Sequence, residues 1–145
     1  MRAVFALFVV FTFAGCAGAP PEAPTLVGTW EGEAGQWDDG DRAREPDSRW
    51  PVAITLVQSA SGEPNAAIDY PSFPCGGRLR YVGPSTEVDA RPGDVVFQEE
   101  ITYGEDICFS GGTVLLRLEE SSLVFAWAID SAPTVAAGRL QRSRR

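Results

Sequence analysis

The chain of 145 residues carries 20 acidic and 12 basic side chains, every basic one an Arg, with no histidine and a net charge of −8. That balance argues against nucleic-acid binding, whose affinity comes mostly from neutralising phosphates. The missing imidazole removes Ser-His-Asp and Cys-His catalysis and nearly all zinc sites.

At the N-terminus, Met1-Arg2 precedes an apolar run, Ala3 to Ala14, that is too short to span a bilayer and remain there. This is the form of a secretory signal peptide, assigned to residues 1–15. Phe13-Ala14-Gly15-Cys16 resembles the lipobox of bacterial lipoproteins. In that family the cysteine is diacylated, the peptide before it is removed and the new amino terminus is acylated. The resemblance therefore implies lipidation of Cys16 and a domain held by acyl chains in the cell envelope, on the outer membrane or the outer face of the plasma membrane. A multiply acylated terminus anchors stably where one chain does not. Loss of the leader removes Arg2 and leaves a mature charge of −9, a poor match to anionic lipid, so the acyl chains are the expected membrane link.

Residues 16–25 read as the lipidated cysteine and a tether, because Ala17 to Pro24 is small, Pro-rich and without periodicity. From Leu26 onward short alternating apolar runs recur between Gly, Pro, Asp and Ser clusters, which is the signature of β-strands. They cover 26–34, 50–58, 65–70, 77–83, 94–103, 112–118, 122–130 and 135–142, within a domain of 26–142 followed by a basic tail, 143–145.

One stretch occurs twice. Ile68-Asp69-Tyr70-Pro71-Ser72-Phe73-Pro74-Cys75-Gly76-Gly77 is echoed by Ile101-Thr102-Tyr103 through Cys108-Phe109-Ser110-Gly111-Gly112, with Tyr70 to Tyr103 and Cys75 to Cys108 the same 33 residues apart. Three cysteines are an odd number for an exported chain. Giving Cys16 to lipid leaves Cys75 and Cys108 to pair in an oxidising compartment. A disulfide closing a loop of that size contributes about 3–4 kcal/mol. The pair also decides the strand number. If the weak candidate 85–90 were a full strand, the two cysteine turns would lie at opposite ends of a meander, too far apart to bond. Reading 84–93 as one connection puts both cysteines at one end and leaves eight strands, which can close into an antiparallel up-and-down barrel.

Alternation assigns the faces. Val52, Ile54 and Leu56; Leu79 and Tyr81; Val95, Phe97, Glu99, Ile101 and Tyr103; Val114, Leu116 and Leu118; and Leu123, Phe125, Trp127 and Ile129 point inward. Arg78, Arg80, Gln98, Glu100, Thr102 and Arg117 take the other face.

Gly28-Thr29-Trp30 resembles the Gly-x-Trp start of the lipocalin and avidin barrels, the calycin group. That resemblance implies a Trp30 plug at the closed end with a last-strand arginine, Arg139 or Arg142, packed across it. A wider set of pieces is similar to the small extracytoplasmic β domains of some actinobacterial serine/threonine kinases. They are Gly28-Thr29-Trp30-x-Gly32, Asp69-Tyr70-Pro71-Ser72-x-x-Cys75-x-Gly77-x-Leu79, Glu99-x-Ile101 leading to Cys108, Gly112-x-Val114-x-Leu116 and Gly138-x-Leu140-x-Arg142. This second resemblance implies a sensing or binding barrel without catalytic residues.

Strand parity gathers the 35–49 loop, the 71–76 turn, the 104–111 turn and the 131–134 turn at one mouth, opposite Trp30. There Tyr70, Tyr103 and Trp127 are candidates to line a pocket, or else simply fill the barrel. Trp37 and Phe73 are candidates for its rim, Phe73 as lid or partner contact. Glu99 sits among apolar residues, where a charge needs a partner. The expected partner is an arginine such as Arg139, the alternatives being a bulge that turns Glu99 outward or a carboxylate kept for a ligand. Asp38-Asp39-Gly40-Asp41 fits no standard calcium loop and is read as solvated, so no metal and no cofactor are expected. Adjacent carboxylates such as Glu99-Glu100 face opposite ways on a strand and make no catalytic dyad. The function expected is non-enzymatic binding of an unidentified small ligand at the mouth. The alternative is a protein–protein module, for instance an inhibitor of a cationic, lysozyme-like envelope enzyme, which would suit an acidic domain.

Overall fold

Eight runs of alternating residues become eight strands: β1 (Gly28–Trp37), β2 (Ser48–Gln58), β3 (Pro64–Tyr70), β4 (Cys75–Pro84), β5 (Val95–Tyr103), β6 (Thr113–Glu119), β7 (Ser122–Ala128) and β8 (Val135–Arg142). The structure, a computed structural model, describes residues 25–86 and 90–144. The expected signal peptide, Cys16 and the tether up to Pro24 lie outside the described residues. Each strand pairs antiparallel with the next, and β1 pairs with β8 from Trp30↔Arg142 to Trp37↔Val135, closing the barrel in the order β1 to β8. No long edge is left unpaired.

The strand number and topology are those expected, and the differences lie at strand ends. β1 runs to Trp37 rather than stopping at Ala34, because Gly35, Gln36 and Trp37 continue the ladder with β8 and the first two also with β2. Backbone pairing there is indifferent to the polar side chain of Gln36. The connection between β4 and β5 is organised by Asp94, which is buried. Its carboxylate accepts from the Arg91 amide at 2.7 Å and pairs with Arg117 at 2.7 Å.

Large apolar side chains fill the closed half of the barrel: Trp30, Ile54, Leu56, Leu79, Phe97, Leu116, Leu123 and Leu140 are all fully buried. Trp30 plugs this end, donating from its indole N–H to the Leu26 carbonyl at 2.8 Å. The arginine over its ring is Arg142, whose guanidinium carbon lies 4.4 Å from the ring centroid. The same guanidinium donates to the carbonyls of Val27 and Thr25 at 2.6 and 2.7 Å. Arg139 does not serve the plug. Leu140 points inward, so alternation carries Arg142 to the same face and Arg139 to the outside. There it donates to Ser122 at 2.8 Å and pairs with Glu119 at 2.6 Å.

Candidate functional site

The end opposite Trp30 collects the 38–47 loop, the 71–74 turn, the 104–112 segment and the 129–134 turn. Two of these segments are joined by the Cys75–Cys108 disulfide, with Cα atoms 6.2 Å apart. The bond is the one expected from the cysteine count. Beneath it the barrel is not filled: a cavity of about 580 Å³ opens at the mouth.

Glu99 forms the polar floor of that cavity. It is only 2% exposed, yet it does not pair with Arg139 as expected, since Arg139 faces outward on β8 and β8 is no neighbour of β5. Two neutral donors hold it instead. The Tyr70 hydroxyl donates to Oε1, and the Trp127 indole N–H donates to Oε2 at 2.8 Å. Burial raises the Glu99 pKa above the usual carboxylate value, and the two hydrogen bonds oppose that rise. Tyr70 is pushed up in turn, by its own burial first and then by the negative charge and hydrogen bond of Glu99. Gly112 makes the Trp127 contact possible, because a Cβ at that position would overlap the indole nitrogen.

The remaining predicted residues divide. Phe73 is exposed in its turn and borders the cavity, as do Tyr70, Glu99 and Trp127. Tyr103 does not. Thr102 is an extra residue in β5 at a bulge opposite Gly76 and Gly77, and the bulge reverses the alternation beyond it. Tyr103 therefore lies outside, 47% exposed, with its hydroxyl donating to Asp69 across Gly76. Trp37 also misses the cavity: Trp30, Ala34 and Gln36 share the inner face of β1, so Trp37 takes the outer one. Its indole donates to the Arg44 carbonyl at 2.8 Å, and Arg42 lies 5.6 Å from its ring.

Trp50, Gln36, Ile107 and Phe109 are among the further residues that border the cavity. Trp50 continues the inward set of Val52, Ile54 and Leu56, and meets Tyr70 edge to face with centroids 5.2 Å apart. Its indole donates to Gln36 Oε1 at 3.1 Å, which fixes Gln36 at the rim. Ile107 and Phe109 extend from the 104–112 segment, and Phe109 is 80% exposed. Trp50 was open to the alternation argument and Gln36 to a longer β1; Ile107 and Phe109 sit in a loop that gives no periodic signal.

The acidic loop is occupied with itself. Asp39 accepts from the Asp41 amide at 3.0 Å and pairs with Arg44 at 2.9 Å, while Asp47 pairs with Arg44 at 2.6 Å. The hydrogen bond from Arg44 lowers the Asp47 pKa to about 2. Asp41 accepts from the Ala43 amide at 3.0 Å. These carboxylates structure a turn.

No protein-family model matches the sequence, and no curated protein matches it. Among solved structures, a mutant of the fluorescent protein UnaG aligns with a TM-score of 0.45 and 14% identity, over 83% of this chain and 97% of that chain. The reading of the site accordingly rests on its own geometry.

Proposed function

We propose that this protein is an envelope-anchored, non-enzymatic barrel that binds a small molecule at its open end. The observation that carries the reading is the cavity of about 580 Å³, bordered by Trp50, Tyr70, Phe73, Phe109 and Trp127 around a single buried carboxylate. Small-molecule sites have this size and this combination of apolar walls with a few fixed polar groups. The disulfide between the 71–74 turn and the 104–112 segment braces the rim, so little ordering cost is left for binding. Acylation of Cys16 would attach the tether at Thr25, beside the plug, and present the mouth away from the membrane. Native mass spectrometry of the protein purified from its own host tests the reading. The expected result is a non-covalent adduct of small-molecule mass; no adduct, and no thermal shift across a panel of small molecules, would overturn it.

A second reading has one observation in its favour. Phe109 is largely exposed on the same segment as the exposed Glu105 and Asp106, an apolar anchor beside negative charge. That surface suits a basic protein, and inhibition of a lysozyme-like enzyme by the purified protein would support it over the small-ligand reading.

A further inference from the structure

Glu99 is a buried charge that the barrel does not neutralise. Both of its partners, Tyr70 and Trp127, are neutral donors. Among the described residues no arginine forms an ion pair with Glu99; several pair instead with carboxylates of the loops and the outer face, as Arg44 does with Asp39 and Asp47, Arg78 with Glu100, and Arg117 with Asp94. A carboxylate has about four acceptor directions, and the two donors use one on each oxygen. Acceptor capacity is left on a group that borders the cavity.

A buried carboxylate without a countercharge is costly, so it either takes up a proton or acquires a cation. An anionic ligand would meet like charge at the floor. A neutral apolar ligand would exclude water from Glu99 and leave it still less compensated. A cation removes the problem, and a lining rich in aromatic rings is the kind of surface on which organic cations are held once desolvated. We propose that the ligand is a protonated amine carrying an apolar body, its N–H groups donating to Glu99 and its body lying along Trp50, Ile107 and Phe109 towards the mouth. This deepens the small-ligand reading above and rests on it.

The test is a matched series of one shape and three charges: naphthylmethylamine, naphthylmethanol and naphthoate, each titrated calorimetrically into the full protein after removal of bound small molecules. The amine is expected to bind at least about tenfold more tightly than the alcohol, with naphthoate weakest, as a close buried charge pair allows. Glu99→Gln is expected to abolish the preference for the amine. In the wild type the preference is expected to survive added salt, because a buried pair is little screened, whereas attraction by the overall negative charge is not. Equal binding of amine and alcohol overturns the amine assignment and leaves the cavity reading standing. Tightest binding of naphthoate overturns it by showing Glu99 to be a protonated donor. Binding by none of the three overturns the amine assignment, and the cavity reading is then decided by the native mass spectrum.

Should Glu99→Gln fail to fold, acidification of the wild type replaces it. The titratable groups facing this space are Tyr70, which stays neutral, and Asp38 at the rim, whose Oδ1 accepts from Gln36 at 2.7 Å; Cys75 and Cys108 are oxidised. Amine affinity is expected to fall on acidification before ordinary carboxylates titrate, with alcohol affinity unchanged. Parallel pH profiles for the two overturn the proposal.

Discussion

At the closed end, Arg142 lies over the Trp30 ring and donates to the carbonyls of Thr25 and Val27, while Trp30 itself donates to Leu26. At the open end, Glu99 receives hydrogen bonds from Tyr70 and Trp127, borders a cavity and, among the described residues, has no cation beside it. Both ends combine aromatic rings with one charge, yet they treat the charge differently. The guanidinium is shared among a ring and backbone carbonyls that need donors, so it fastens the chain just before β1 to the plug. The carboxylate has only neutral partners, and the space above it is left unfilled. The charge at one end is spent on holding the chain together, and the charge at the other borders the site of the proposed recognition.

The largest effect expected from breaking that division is at the plug. Trp30→Ala removes the biggest fully buried side chain and is expected to cost about 3–5 kcal/mol in urea unfolding. Where the variant still folds, calorimetric affinity for mouth ligands is expected to stay within about threefold, a change worth less than 1 kcal/mol. A large loss of affinity would show that the two ends are not separable.

The disulfide comes next. Replacing Cys75 and Cys108 together by Ala removes a constraint across 33 residues, worth about 3–4 kcal/mol by loop entropy. Amide exchange should locate the loosening. The Ile107 and Cys108 amides, which donate to the Gly104 carbonyl, are expected to lose protection in excess of the global change, and the amides around Trp30 are not. Uniform loss of protection would contradict a bracing role confined to the mouth.

Gly112→Ala is a smaller perturbation with a sharper address. Its added methyl group competes with the Trp127 indole for the same space, a strain of about 1–3 kcal/mol. Trp127 is then expected to leave Glu99, shifting the tryptophan emission to the red and lowering ligand affinity. An unchanged spectrum would mean that the indole does not depend on this glycine.

Alternation and parity make the barrel legible in the sequence: the cysteine count pairs Cys75 with Cys108, and that pair, with the inward sets of the strands, gives eight strands and puts both cysteine turns at one end. The same rule, carried one step further, separates Arg142 from Arg139 on β8 and Gln36 from Trp37 on β1. Tyr103 shows where the rule stops. Its copy of the repeated stretch matches that of Tyr70 in sequence spacing, but the extra residue at Thr102 belongs to pairing with Gly76 and Gly77 and leaves no mark in the apolar pattern. Ile107 and Phe109 were hidden for a different reason, since a loop side chain is aimed by tertiary contacts. The partner of Glu99 was misread because burial of a charge requires a partner without saying which, and Tyr70 and Trp127 met the hydrogen-bonding need without meeting the charge.

The finest test of the comparison is a slope. Burial raises the Glu99 pKa in the folded protein above its unfolded value, against the opposing hydrogen bonds from Tyr70 and Trp127. The folded state therefore holds the proton more tightly, and stability contributed by Glu99 is present in full below the unfolded value and lost as pH rises through the folded one. Asp39, Asp47, Glu100 and Glu119 shift the other way, lowered by hydrogen bonds, and their contributions fade as pH falls. Those groups are common to wild type and variant, so they cancel in the difference between the two. As pH falls through the folded value towards the ordinary glutamate value of 4.5, wild type is expected to gain stability relative to Glu99→Gln. Urea midpoints at several pH values measure that difference. A flat difference would mean that Glu99 is compensated within the barrel, and the contrast with Arg142 would disappear.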